Sequence, residues 1–164
     1  MTQQEKSIIT TFGHRLRSRV CGICTQGSQV LMVKHAYPGK EGYFWAPPGG
    51  GVQFGESSAR ALEREFLEEA GYNIAVKDFL FVNEFMEKPL HAVELFFSVE
   101  ITGGELKQGI DPEMKANEQI IQKVAFLSFQ EIKALPEVAV HNIFHHCQSL
   151  EELLTMRGYF YYAP

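Results

Sequence analysis

Cysteine is scarce in this chain, with 3 among 164 residues, and a sparse, odd set does not build a disulfide framework. Long apolar runs are missing as well. The opening stretch MTQQEKSIITTFGH holds no apolar segment of signal length, and nowhere do about eighteen apolar residues follow one another. A soluble, cytoplasmic protein with no membrane partner is the expectation. Basic charge is in deficit, since 15 Lys and Arg stand against 20 Asp and Glu for a net charge of −5. A nucleic-acid surface depends on a basic patch, so no nucleic-acid partner is expected, and an anionic small molecule would need local arginine and metal. Repeats and low-complexity tracts are absent. With 45% hydrophobic residues the length suits one domain, residues 1–164, with a real core. An N-terminal arm over 1–14 and C-terminal helices with an aromatic tail over 137–164 complete the expected organisation.

What the chain does have is concentrated in GGVQFGESSARALEREFLEEAGY, Gly50 to Tyr72. Its second half predicts a helix capped by Ser57 or Ser58 and stopped by Gly71 in the left-handed region. Ala59, Leu62, Phe66 and Ala70 recur at helical spacing as the stripe that packs on a sheet. Glu65, Glu68 and Glu69 fall at i, i+3 and i+4 on a neighbouring face. Like charges so placed cost about 0.2–0.5 kcal/mol per pair, and Arg64 relieves only part of that. A solvated acidic face is the plain reading. Against it stands the approach through Gly49, Gly50 and Gly51, which lets backbone come close to a ligand and feeds a helix start suited to phosphate oxygens. Clustered carboxylates there suit hard Mg²⁺ or Mn²⁺, which share their remaining sites with water and phosphate.

Around this stretch the pattern is mostly strands. Arg15 to Thr25 and Gln29 to Tyr37 form a hairpin about the turn Gln26-Gly27-Ser28. Arg15, Arg17 and Arg19 are either a solvent-facing edge or, for Arg19, a fork reaching a substrate phosphate. Cys21 and Cys24 lie three apart on a strand and so point to opposite faces, which makes them structural thiols rather than a redox or zinc pair. Pro38 to Pro48 reads as a loop whose Tyr43, Phe44 and Trp45 either stack a base or plug the core. Asn73 to Phe85 and His91 to Ile101 read as strands, with Glu84 and Glu94 inside them paired to strand arginines or touching a ribose hydroxyl. Glu105 to Glu118 is a long polar loop of the kind that serves as a lid. Ile120 to Phe126 is a further strand, and Ser128 with Glu131 is a capping box opening a helix that Pro136 ends. Val138 to Met156 reads as helical, with His141 and His145 on one face but lacking a third zinc ligand. Tyr159 to Tyr162 packs on the sheet or on a second subunit. The element order points to α+β, or a mixed sheet between helices.

Gly50, Glu56 and the run Arg64-Glu65-Phe66-Leu67-Glu68-Glu69-Ala70-Gly71-Tyr72 together resemble the Nudix box. Phe66 and Tyr72 depart mildly from its preference for aliphatic side chains. The resemblance implies an α/β/α sandwich with a mixed sheet and hydrolysis of a pyrophosphate linkage. The implied substrates are small-molecule nucleoside diphosphate derivatives, of the nucleotide-sugar or ADP-ribose type, cleaved to two monophosphates. A triphosphate pyrophosphohydrolase releasing pyrophosphate is the alternative, and a non-catalytic nucleotide sensor is the alternative from another class. Glu65 and Glu69 become the implied metal ligands, with Glu68 beside them and a carbonyl from Gly49 or Gly50. Glu56 and Arg64 brace the loop against the helix. Family members often place one more metal-binding or proton-abstracting glutamate ahead of the next strand, which points to Glu118, with Glu113 as runner-up. Glu118, Glu69 and His91 are the candidate bases, while Gly50, Arg19, Tyr43 and Glu84 are the candidate substrate contacts. Trp45 is the structural one of the aromatics. Pro89 falls one position away from a proline that ADP-ribose-preferring members carry. Small members are commonly homodimers.

Overall fold

Alternation along Val20 to Cys24 sends successive side chains to opposite faces of one strand. The computed structural model, which describes residues 1–37 and 41–164, builds two cores from that alternation. In chain order the elements are α1 (Gln3–Phe12), β1 (Leu16–Gln26), β2 (Gln29–Ala36), β3 (Tyr43–Ala46), β4 (Gly49–Gly51), α2 (Ser58–Ala70), β5 (Tyr72–Glu87), β6 (Leu90–Gly104), β7 (Ile121–Ser128), α3 (Phe129–Lys133), α4 (Leu150–Thr155) and β8 (Gly158–Tyr162). Val20 and Cys24 join Leu31 and the α2 stripe of Ala61, Leu62, Phe66 and Ala70 on one face. Cys21 and Ile23 join Met32, Ile132, Ile143, Phe144 and Leu153 on the other. A mixed sheet therefore lies between α2 and the C-terminal helices, which is the expected α+β sandwich. All three cysteines are free and buried.

β1 is the strand that organises the rest. It runs parallel to β6, with Arg19 beside Glu94, and antiparallel to β4, with Arg19 beside Gly51 and Val20 beside Gly50. Its far end turns into β2, which is flanked by β3 and β7. The long hairpin of β5 and β6 continues the sheet, and β8 adds in parallel to β5.

Four expectations need correction. β1 has partners on both sides, so Arg17 and Arg19 are not a solvent edge, although Arg15, just before the strand, is exposed. Residues 1–14 are not an arm. Thr2 and Glu5 form a reciprocal capping box that opens α1, and Ile8 and Phe12 then have a buried face to occupy. Within Pro38 to Pro48, residues 38–40 lie outside the described residues, and Tyr43 to Ala46 is a strand rather than loop, paired with β2 from Ala36 to Val33. Val138 to Met156 is not a continuous helix. Val140 leaves the helical region to bridge Trp45, the His141 side chain accepts from the Ile143 amide in a short 3₁₀ turn, and Ser149 caps a new helix. The aromatic tail is a strand on the sheet edge. Among the described residues no helix is long and apolar enough to cross a membrane.

Candidate active site

The α2 sequence places Glu65 and Glu69 one turn apart, and the three-glycine strand β4 lies against them. A Cβ on Gly50 would stand 2.3 Å from the Glu65 carboxylate, so the absent side chain is what gives that carboxylate room. The Gly49 amide donates to Glu69 Oε2 at 2.9 Å, and His35 Nε2 lies 3.3 Å from Glu69 Oε1. Both carboxylates are buried, at 8% and 5% relative exposure. Burial and the neighbouring Glu69 push Glu65 up to about 7, against the pull of Arg64 and Arg19. Two buried carboxylates with this little neutralisation are costly unless a counter-charge arrives.

Arg64 holds the rest of the motif together. Its guanidinium donates to Glu56 Oε1 at 2.7 Å, to Glu65 Oε1 at 2.8 Å, to Glu68 Oε2 at 3.1 Å and to the Gly51 carbonyl at 3.1 Å. Glu56 and Arg64 thus tie the loop to the helix. Gly71, at φ 75°, ends α2 in the left-handed region. Glu68 faces Arg64 rather than the cleft.

One cleft of about 1010 Å³, open solvent at its mouth included, is lined by Glu65, Glu69, Gly49, Gly50 and Gly51 together with Arg17 and Arg19 of β1. Aligned register on β1, β6 and β5 sets Arg19, Glu94 and Asn83 in a row across the sheet. Asn83 donates to Glu94 at 3.0 Å, His141 Nε2 lies 2.7 Å from it, and Arg19 Nε stands 3.4 Å away. Burial opposes the charge on Arg19, and Cys21, Glu94, Glu69 and Glu65 outweigh it, so its pKa rises. Arg17 is pulled down to about 10 by burial and by Arg19, against Glu113. Arg19 Nε is buried without a hydrogen-bond partner.

The remaining sequence candidates are dispersed. Glu118 accepts from Ser7 of α1 at 2.5 Å and is not among the cleft residues, whereas Glu113 and Asp111 are. Gln119 shapes that loop by bonding both the amide and the carbonyl of Asp111, at 2.7 and 3.0 Å. Tyr43 is not among the cleft residues, with Lys34 Nζ 4.1 Å over its ring, and of Tyr43, Phe44 and Trp45 it is Phe44 that lines the cleft. Glu84 takes His91 at 2.8 Å and the Tyr159 hydroxyl, so His91 lines the cleft and Glu84 stands behind it. His141 is buried on Glu94 and shares no face with the exposed His145. Glu94 beside Arg19 is the expected pairing with a strand arginine, whereas His35, Asn83 and the cleft position of Arg17 were missed. Their only sequence signal is polar residues placed inside otherwise apolar strands.

Among the described residues no three His, Cys, Asp or Glu side chains converge to hold an ion by themselves. Two carboxylates beside the glycine strand still fit a hard divalent ion, because Mg²⁺ is commonly held by one or two carboxylates plus water and substrate phosphates.

The family model described as the NUDIX domain matches residues 14–146, and the chain belongs to that family, whose hydrolases generally use a divalent metal. An "ADP-ribose pyrophosphatase" of Methanocaldococcus jannaschii is 35% identical over 94 residues, covering 56% of this chain and 55% of the relative. A "Putative 8-oxo-dGTP diphosphatase" of Bacillus subtilis is 39% identical over 85 residues, covering 51% and 52%. The chain thus spans about half the length of these curated relatives. Among solved structures, the MutT protein from Methanosarcina mazei Go1 superposes with a TM-score of 0.64 at 16% identity, covering 84% of this chain and 92% of that one. A UDP-X diphosphatase gives 0.63 at 17% identity, covering 88% and 67%. These structural likenesses concern the fold.

Proposed function

We propose that the protein is a metal-dependent hydrolase that cleaves the pyrophosphate linkage of nucleoside diphosphate derivatives, giving two monophosphates. The observation that carries this reading is the cleft in which buried Glu65 and Glu69 lie together with Arg17 and Arg19 about the glycine strand. Mg²⁺ or Mn²⁺ held by Glu65, Glu69 and a carbonyl of the glycine strand would neutralise the diphosphate and acidify an attacking water.

The chain's own groups have separable tasks. The Arg19 guanidinium binds diphosphate oxygens through forked donors, and the glycine amides allow close approach. His35 and the Gly49 amide fix the orientation of Glu69. Glu69 and His91, both in the cleft, are the bases this reading favours. The further glutamate of the loop is better assigned to Glu113, which Arg17 holds at 3.5 Å, than to Glu118 on Ser7. Water adds to one phosphorus, the bridging P–O bond breaks, and the departing phosphate keeps the bridge oxygen. The name of the relative from Methanocaldococcus jannaschii supports ADP-ribose-type substrates.

A second reading, hydrolysis of a nucleoside triphosphate with release of pyrophosphate, draws on the name of the Bacillus subtilis relative. A nucleotide sensor is the third, and the retained carboxylate pair speaks against it. Cytoplasmic residence fits three buried free thiols. A homodimer belongs to the same reading, and light scattering checks it. The test is a Mg²⁺-dependent panel of ADP-ribose, nucleotide sugars, dinucleotides and nucleoside triphosphates with products separated by chromatography. Two monophosphates support the leading reading, pyrophosphate supports the second, and silence with measurable nucleotide binding supports the sensor.

A further inference from the structure

α1 lies ahead of residues 14–146, the segment that the family model matches, yet it forms part of the cleft wall. Ile8 and Phe12 are buried and line the cleft beside Leu90 and Ile120. The helix is fastened to the neighbouring loop at two points, Gln4 donating to the Gln119 carbonyl at 3.1 Å and Ser7 donating to Glu118. Arg17, which faces the diphosphate end, lies over the Phe12 ring with its guanidinium carbon 4.3 Å from the centroid.

The wall so made is apolar, and the carboxylates that line the cleft near Arg17 are engaged, Asp111 accepting from the Glu113 amide at 2.9 Å and Glu113 pairing with Arg17 at 3.5 Å. The Tyr37 hydroxyl is committed to Glu87 at 3.2 Å and His91 to Glu84 at 2.8 Å. A polyhydroxyl sugar placed there would lose hydration without gaining partners. A flat heterocycle would gain apolar contact and a guanidinium held over an aromatic ring, the kind of group on which bases stack.

Resting on the reading of the cleft given above, we infer that α1 builds the subsite for the nucleobase, with Phe12 the specificity-determining residue and Arg17 its stacking plane. The chain thereby selects the base side of its substrate with a helix outside the matched family segment. The Phe12 ring holds the guanidinium against which the base stacks, and loss of a stacking surface typically costs about tenfold or more in affinity.

The test is calorimetric binding of AMP and of ribose 5-phosphate, in Mg²⁺, to the wild type and to Phe12→Leu, which keeps the helix packed while removing the ring. The expected result is an AMP affinity about tenfold weaker in the variant, with ribose 5-phosphate unchanged. Phe12→Tyr, which keeps the ring, should restore AMP binding. Equal loss for both ligands, no loss for either, or no AMP binding to the wild type at millimolar concentration overturns the assignment. Ring-dependent AMP binding together with silence across the hydrolysis panel would keep the base subsite and sink the hydrolase reading.

Discussion

Glu94 Oε2 and His141 Nε2 lie 2.7 Å apart, although 47 residues separate them in sequence. Both are buried, at 5% and 3% relative exposure. Burial alone would raise the Glu94 carboxyl, but the charge and hydrogen bond of His141, with Arg19 and Asn83, hold it down at about 2. Because Arg19 lines the cleft, this buried pair sets the position of a candidate substrate contact from behind.

Glu94→Ala is expected to destabilise the fold by about 3–5 kcal/mol, the usual cost of leaving a buried charge without its partner. Glu94→Gln, which keeps the acceptor for Asn83, should cost less. Urea denaturation at neutral pH measures both, and an unchanged midpoint for the alanine variant would refute the role. The sign for pH follows from the depressed pKa. The group's contribution is complete above its ordinary value of 4.5 and is lost as pH falls from there towards about 2.

Gly50→Ala separates metal binding from folding. The three atoms nearest the new methyl all belong to the Glu65 carboxylate, the closest 2.3 Å away, and a side-chain end can turn aside where backbone cannot. Mn²⁺ affinity should therefore fall about tenfold or more while the melting temperature shifts by only a few degrees. Gly49→Ala makes the contrast, since its Cβ would sit 2.0 Å from the Val20 carbonyl oxygen, and it should fail chiefly in stability. Equal metal affinity in Gly50→Ala and wild type would place the ion elsewhere.

Glu65 gives a pH dependence of opposite sign to that of Glu94. Its folded value is raised from 4.5 to about 7, so between those values the metal-free folded chain binds more protons than the unfolded one. Metal-free stability from this group should fall as pH rises through that window. Divalent-ion affinity should rise over the same window, because the ion displaces the proton. Titration with Mn²⁺ between about pH 5.5 and 8 measures the slope, and Glu65→Gln should flatten it.

Local rules made α2 legible before any coordinates. Ser57 caps it, Gly71 stops it, and Leu62, Phe66 and Ala70 of the expected stripe pack on the sheet, with Ala61 rather than Ala59 as their fourth member; all of this depends on residues a few positions apart. The face assignment of Cys21 and Cys24 was legible for the same reason. What was not legible depends on strand register. Arg17 and Arg19 resembled a wet edge because nothing local says that β4 and β6 flank β1. Glu84 and Glu94 were alike in sequence, but register sets Glu94 beside Arg19 while Glu84 turns to His91 and Tyr159. α1 is a different case. Its Thr2–Glu5 capping box was present in the sequence, and its buried face became visible only once Ala36, Met114 and Ile120 were seen to receive it.

Helical spacing alone makes Glu65, Glu68 and Glu69 equivalent, and the geometry does not. Glu69 is held from both sides, by the Gly49 amide at 2.9 Å and by His35 at 3.3 Å, while Glu68 is occupied by Arg64 at 3.1 Å and does not line the cleft. Glu69→Gln keeps an acceptor for the Gly49 amide, so the fold should survive while the charge is lost. Turnover on whichever substrate the panel identifies is expected to drop at least about 10²-fold, the scale seen when one charge-stabilising group is removed. Glu68→Gln removes a partly exposed ion pair of modest value and should lower turnover by less than about tenfold. Steady-state kinetics on the two variants, with thermal melts to show that both are folded, decide between three working carboxylates and two. Equal losses would restore the triad that the spacing suggests, and near-full activity in Glu69→Gln would remove that residue from the site.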